Sequence, residues 1–131
     1  MTYAGDLTPA EAHDMLMADP TAVLVDVRTA AEWTFVGRPV VDGVRFVEWT
    51  SWPTGAPNPA FVADAGSGLE PETPIILLCR SGVRSVAAAH ELTAAGHTAV
   101  FNVLEGFEGD HDADDHRTGG WKGAGLPWTQ R

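Results

Sequence analysis

The run Ile75-Ile76-Leu77-Leu78 ends on Cys79, the one cysteine of the chain, and passes at once into Arg80-Ser81-Gly82-Val83-Arg84-Ser85. An Ala-rich stretch, Val86-Ala87-Ala88-Ala89-His90-Glu91-Leu92, follows directly. Unbroken apolar character over a strand's length suits a strand covered on both faces. The Ala-rich stretch suits a helix. A strand, a short loop and a helix in immediate succession make half of a crossover unit, which builds a parallel sheet between helical layers. The same junction carries chemistry. Loop N–H groups and the positive end of a helix dipole converge on the sulfur, a setting that favours thiolate over thiol and can hold an anion beside it.

The rest of the chain repeats this alternation. Thr8-Pro9-Ala10-Glu11 is a capping box with proline at the first helical position, opening a helix through about Ala18 that Asp19-Pro20 ends. Leu7, Met15 and Leu16 are its expected buried neighbours. Ala22 to Val27 is a second apolar run, with Asp26-Val27-Arg28 at its C-terminal end. Thr29-Ala30-Ala31-Glu32 repeats the capping box and starts a brief helix that stops before Gly37. Val44 to Trp49 alternates and reads as a strand near the sheet edge. Residues 50–59 hold three prolines and a glycine and form a loop, after which 59–64 can form a short helix. The helix from about Arg84 to Ala95 is capped by Gly96, and Thr98 to Val103 is read as the last strand. A helix and a small edge strand stand in front. The expected fold is one α/β domain over residues 1–131. Crossovers should be right-handed, with ligands bound beyond the C-terminal strand ends, where Asp26, Arg28 and Cys79 all fall.

A chain of 131 residues with 44% apolar content can bury one proper core. Its formal net charge of −10 repels nucleic acid and anionic membranes. It would also repel small anionic substrates, so an anion site needs local positive charge, which Arg80 and Arg84 supply. A single cysteine excludes an internal disulfide framework and a four-cysteine zinc site, and leaves no second thiol to resolve an oxidised Cys79. The first residues lack the basic and apolar regions of a signal peptide, and no run approaches the ~20 apolar residues of a membrane span. A cytoplasmic protein is expected.

Several motifs together resemble the single-domain rhodaneses, a sulfurtransferase family. They are Leu24-Val25-Asp26-Val27-Arg28 with Glu32-Trp33 after it, the loop from Cys79 to Ser85, and Gly119-Gly120-Trp121 with Ala124-Gly125-Leu126-Pro127-Trp128 at the end. The resemblance implies a three-layer α/β/α sandwich around a five-stranded, mostly parallel sheet. It also implies a catalytic cysteine that carries sulfane sulfur as a persulfide, with no cofactor. Two departures stand out. Phe35-Val36-Gly37-Arg38-Pro39-Val40 replaces the usual Gly-His-Ile-x-Gly-Ala stretch, and residues 105–118 read as an acidic loop insertion. Both leave the natural substrate open.

Loop length separates sulfur from phosphate chemistry. Cysteine phosphatases place an arginine six positions after the cysteine; here that position is Ser85, and the arginine is Arg84, five positions on. A shorter loop makes a tighter ring of amides, better matched to one terminal sulfur than to three phosphoryl oxygens. In the family, rhodaneses carry the shorter loop and related cell-cycle phosphatases the longer one. No Asp or His is placed as a leaving-group acid, whereas sulfite leaves unaided as an anion. The expected reaction moves sulfane sulfur from thiosulfate or a related small anion, through Cys79 persulfide, to cyanide or a thiol. The alternatives are a persulfide carrier docking on a sulfur-delivery protein partner and, less favoured by loop length and cysteine count, a phosphatase or arsenate reductase.

Within this reading Cys79 is the nucleophile. At least one of Arg80 and Arg84 is expected to bind the donor anion rather than being merely solvated or paired, and Gly82 and Val83 shape the loop. Ser81 and Ser85 either donate hydroxyl hydrogen bonds to the sulfur or, for Ser85, only start the helix. Asp26 is expected to pair with a loop arginine and hold the cradle in shape. Arg28 either shares that scaffold or touches substrate, and Glu32 and Trp33 support and cover the loop. Trp49-Thr50-Ser51-Trp52-Pro53 form a pocket wall or ordinary surface packing. Asp110 to His116 mixes carboxylates with two imidazoles but lacks a recognised metal-ligand spacing, so a solvated loop is expected and no metal site is assigned.

Overall fold

The computed structural model of the chain describes residues 2–130; Met1 and Arg131, the ends of the domain read from sequence, lie outside the described residues. The elements run β1 (Gly5–Leu7), α1 (Pro9–Ala18), β2 (Val23–Asp26), α2 (Ala30–Phe35), β3 (Arg38–Pro39), β4 (Arg45–Phe46), α3 (Phe61–Ala65), β5 (Ile75–Leu78), α4 (Arg84–Ala94), β6 (Val100–Val103), α5 (Gly120–Gly123) and β7 (Trp128–Thr129). Five strands form one sheet in the order β1-β6-β5-β2-β4. Every neighbouring pair in it is parallel. The expected α/β architecture with a five-stranded parallel sheet is the one observed.

Strand parity sorts the core into two halves. Val25, Val27, Ile75, Leu77, Cys79 and Val100 face one helical layer with Phe61, Ala88 and Leu92. Leu24, Ile76, Leu78 and Val103 face the other with Ala12, Leu16, Phe107 and Trp121. The alternation along β5 therefore puts Cys79 on the α4 side of the sheet. Each of the four β5 residues is fully buried, as a central strand requires.

Both capping boxes form. Thr8 accepts from the Glu11 N–H while Glu11 accepts from the Thr8 N–H, and Thr29 and Glu32 do the same at α2. Leu16 is buried, while Leu7 and Met15 are partly buried against the same core half. The Val44–Trp49 strand shortens to two residues. Past Phe46 the chain still bonds to β2, through Val47 N–H to the Asp26 carbonyl (3.1 Å) and Trp49 N–H to the Val27 carbonyl (3.0 Å).

Two features correct the sequence reading. β6 is not the last strand, because β7 pairs antiparallel with β3 in a separate two-stranded sheet. Neither strand has a repeating apolar pattern, so only the return of the C-terminal segment reveals them. Residues 105–109, read as the start of an acidic loop, are largely interior. Phe107 is fully buried, and the backbone here bonds to the Cys79 loop. Beyond them, Asp112 accepts from the Asp114 and His116 N–H groups (both 2.9 Å) and closes an exposed turn of its own.

Candidate active site

Cys79 leaves the end of β5 with its side chain 1% exposed. The loop then bends back so that the Gly82 N–H donates to Sγ at 3.0 Å. Gly82 makes this bend at φ +101°, where a β-carbon would be strained. Ser85, in the first turn of α4, brings its Oγ to 3.2 Å from Sγ. Ser85 thus both begins the helix and touches the sulfur, and its hydroxyl hydrogen is directed at Asn102 Oδ1. Ser81 is half-buried in the loop and Val83 is exposed beside it.

The outer side of the loop is clamped by residues 106–109. Phe107 N–H donates to the Cys79 carbonyl (2.7 Å), and Glu108 and Gly109 N–H donate to the Arg80 carbonyl (2.9 and 3.2 Å). Gly106 permits this approach: a β-carbon there would lie 2.6 Å from the Arg80 carbonyl carbon.

The charged groups divide differently from the sequence expectation. Asp26 does not pair with a loop arginine. It is gripped by Arg28, through Nε to Oδ1 (3.0 Å) and Nη2 to Oδ2 (2.8 Å). Arg28 Nη2 also donates to the Gly37 carbonyl (2.8 Å), and the guanidinium lies 4.2 Å from the Phe107 ring centroid. Both side chains are fully buried. At i and i+2 the two residues emerge together from β2, and Arg28 is the one cation that forms an ion pair with Asp26 among the described residues.

The loop arginine finds Glu32 instead. Arg84 Nη1 and Nη2 donate to Glu32 Oε1 and Oε2 at 2.6 and 2.8 Å. Burial alone would push the Glu32 carboxyl up, but the hydrogen bond and charge of Arg84, with the Thr29 N–H, hold it below the ordinary value. The Glu32 hydrogen bond in turn outweighs burial at Arg84 and raises that guanidinium further. Trp33 turns away from the loop and packs edge-on against Phe46, with ring centroids 5.2 Å apart.

Arg80 is exposed and, among the described residues, takes part in no ion pair. It opens with Arg84 onto a cavity of about 520 Å³ whose far walls are Phe35, Val36, Trp52 and Pro53. Phe35 and Trp52 are 79% and 71% exposed. Of the two tryptophans in the 49–53 segment, Trp52 lines this cavity while Trp49 packs on Phe61 in the core.

Residues 8–113 match the family model described as a rhodanese-like domain. The chain belongs to the rhodanese-like family. A crystal structure of an M. tuberculosis protein superposes with a TM-score of 0.90 at 48% identity, covering 99% of this chain and 100% of that one. An uncharacterized protein of Rickettsia conorii is 37% identical over 94% of this chain and 95% of its own length. A thiosulfate sulfurtransferase of Actinobacillus succinogenes, GlpE, is 27% identical over 93% and 87% respectively. Sulfur transfer thus appears by name among distant members of the family.

Two residues at this rhodanese-like site escaped the sequence reading. Phe107 covers Arg28 and lends its backbone to the loop clamp. Asn102 accepts a hydrogen bond from the same Ser85 hydroxyl that touches the sulfur. A signal for Asn102 did exist: it is the one polar residue in the apolar run of β6, and it is 2% exposed.

Proposed function

We propose that this protein is a sulfurtransferase that carries one sulfane sulfur on Cys79. The observation that carries the reading is the 3.0 Å hydrogen bond from the Gly82 N–H to a buried Sγ, inside a loop with only four residues between Cys79 and Arg84. A preorganised amide aimed at sulfur stabilises negative charge there without reorganisation. In the first step the Cys79 thiolate attacks the outer sulfur of a thiosulfate-like anion. The S–S bond of the donor breaks, its electron pair leaves with sulfite, and Cys79 becomes a persulfide anion. In the second step a thiolate or cyanide attacks the terminal sulfur and returns Cys79 to thiolate. Arg80, exposed and without an ion pair among the described residues, offsets the charge of the incoming anion in an otherwise acidic chain. With no second cysteine in the sequence, the persulfide must discharge to an external acceptor.

One observation favours a larger acceptor than cyanide. The cavity of about 520 Å³ beside the two arginines far exceeds the needs of a small anion, and its outer wall is apolar. This supports a second reading, in which Cys79 hands its sulfur to a thiol borne on a larger molecule and free thiosulfate turns over slowly.

The test is intact mass after thiosulfate treatment, followed by cyanide or a thiol peptide, on wild type and Cys79→Ala. The expected result is a gain of one sulfur in wild type, its loss on adding acceptor, and no gain in the variant. Wild type that gains nothing would sink both readings. Discharge to the peptide but scarcely to cyanide would select the carrier.

A further inference from the structure

A second row of polar groups leads from the sulfur to the surface. The Ser85 hydroxyl donates a hydrogen bond to Asn102 Oδ1. Asn102 Nδ2 then donates to Asp6 Oδ1 at 3.1 Å. Asp6 sits in β1 directly opposite Asn102 in the parallel register. The Tyr3 hydroxyl donates to the same carboxylate oxygen at 2.7 Å, and this bond is the chief reason the Tyr3 hydroxyl titrates above its ordinary value.

The direction of these bonds follows from donor and acceptor chemistry. An ionised carboxylate only accepts, so the Asn102 amide must present its NH₂ to Asp6 and its oxygen to Ser85. That oxygen also only accepts, so Ser85 spends its single hydrogen on Asn102. What remains for the sulfur at 3.2 Å is a Ser85 lone pair. A lone pair suits an S–H and opposes a thiolate or persulfide anion. Cys79 therefore sits between two opposed partners. The Gly82 N–H favours negative sulfur, while Ser85, as polarised from Asp6, favours the protonated thiol. For Ser85 to turn its hydrogen to the sulfur, either Asn102 Oδ1 loses its donor in a buried setting, or the amide flips its oxygen against the Asp6 carboxylate. Each costs about one hydrogen bond.

We propose that Asp6 is a positioning residue that, through Asn102 and Ser85, holds the resting Cys79 as a thiol until charge is to develop on it. The proposal rests on the reading of Cys79 as the reactive group. It gives the one cysteine, which has no resolving partner, protection from adventitious oxidation while unloaded. Replacing Asp6 by asparagine lets the whole row reverse: residue 6 donates to Asn102, Asn102 to Ser85, and Ser85 to the sulfur. The other charged groups around the loop are untouched by this change. They are Arg80 on the loop, Arg84 with Glu32, Asp26 with Arg28 at the end of β2, and Glu105 and Glu108 on the clamp segment.

The experiment is the pH dependence of iodoacetamide alkylation of Cys79, read by intact mass, which needs no sulfur transfer. Asp6→Asn should lower the alkylation midpoint by about one pH unit, the size of one hydrogen bond to a charged group. Tyr3→Phe, which removes a bond to Asp6 without reversing the row, should leave the midpoint in place. In a Ser85→Ala background, Asp6→Asn should no longer move it. An unshifted midpoint in folded Asp6→Asn, or an equal shift without Ser85, would overturn the proposal, the latter by assigning the effect to charge through space. If Asp6→Asn unfolds, Asp6→Ala removes the acceptor that fixes the Asn102 amide and should lower the midpoint in the same direction, again only while Ser85 is present. A wild type that takes no sulfur from thiosulfate, together with a lowered midpoint in Asp6→Asn, would defeat the proposed function and leave this inference standing.

Discussion

Arg28 and Arg84 each grip a carboxylate through two N–H groups beside the same loop, yet the pairs lie in different physical worlds. Asp26 and Arg28 are fully buried, whereas the side chains of Arg84 and Glu32 are 27% and 19% exposed. Arg28 is further fixed by the Gly37 carbonyl and the Phe107 ring. It has no surface to offer a ligand and braces the end of β2. Arg84 lines the cavity, and in the proposed function it would exchange part of its hold on Glu32 for an incoming anion. The comparison teaches that the residue type and the motif do not assign the role. Dielectric and access do, because a buried pair cannot be parted without stranding a charge.

The sharpest way to break this contrast is Arg28→Met, which leaves the Asp26 carboxylate buried without its partner. Unfolding in denaturant should show a loss of about 3–5 kcal/mol. A loss no larger than that of Arg84→Met would mean the two pairs are equivalent after all. Arg84→Met itself should cost only about 1 kcal/mol of stability, as a partly exposed pair does. Its larger effect should be on function, with persulfide formation from thiosulfate slowed roughly tenfold by loss of one charge-assisted contact to the anion. Stopped-flow measurement of sulfite release reads that rate.

The smallest effect concerns pH. Glu32 titrates below its ordinary value in the folded chain, so its pairing adds stability that is fully present above the unfolded carboxyl value, near ~4.3. That contribution is lost as pH falls through the lower, folded value. Glu32→Gln should therefore cost up to about 1 kcal/mol at neutral pH and nothing in acid. Denaturant midpoints of the two proteins, measured from neutral pH downwards, should converge. Parallel curves would show that the pair contributes no pH-dependent stability.

Much of the fold was legible because its signals are local. The capping boxes at Thr8 and Thr29 are i, i+3 patterns, the β2 and β5 runs are contiguous, and Gly82 and Gly96 sit at turns the chain must make. The Cys79 loop was legible for the same reason, since cysteine, glycine, arginine and serine lie within seven consecutive residues. What was not legible depended on partners far apart in the chain. Arg84 meets Glu32 across 52 positions, and Asn102 meets Asp6 across 96. Acidic composition masked Phe107, whose ring belongs to the interior although Glu105, Glu108 and Asp110 stand around it in the sequence. The β3–β7 pair is two residues on each side, too short for any periodicity to register.

By itself the sequence determined that a buried parallel strand would deliver one cysteine to a short, glycine-bent loop at the start of a helix. Apolar runs, caps and turns act over a few residues, and their preferences are written where they act. Only the tertiary structure decided which arginine braces and which faces the cavity, and which way a hydrogen bond points at the sulfur. Those outcomes follow from burial and from the one arrangement of donors and acceptors that satisfies Asp6, Asn102 and Ser85 together, and neither exists until the strands are side by side.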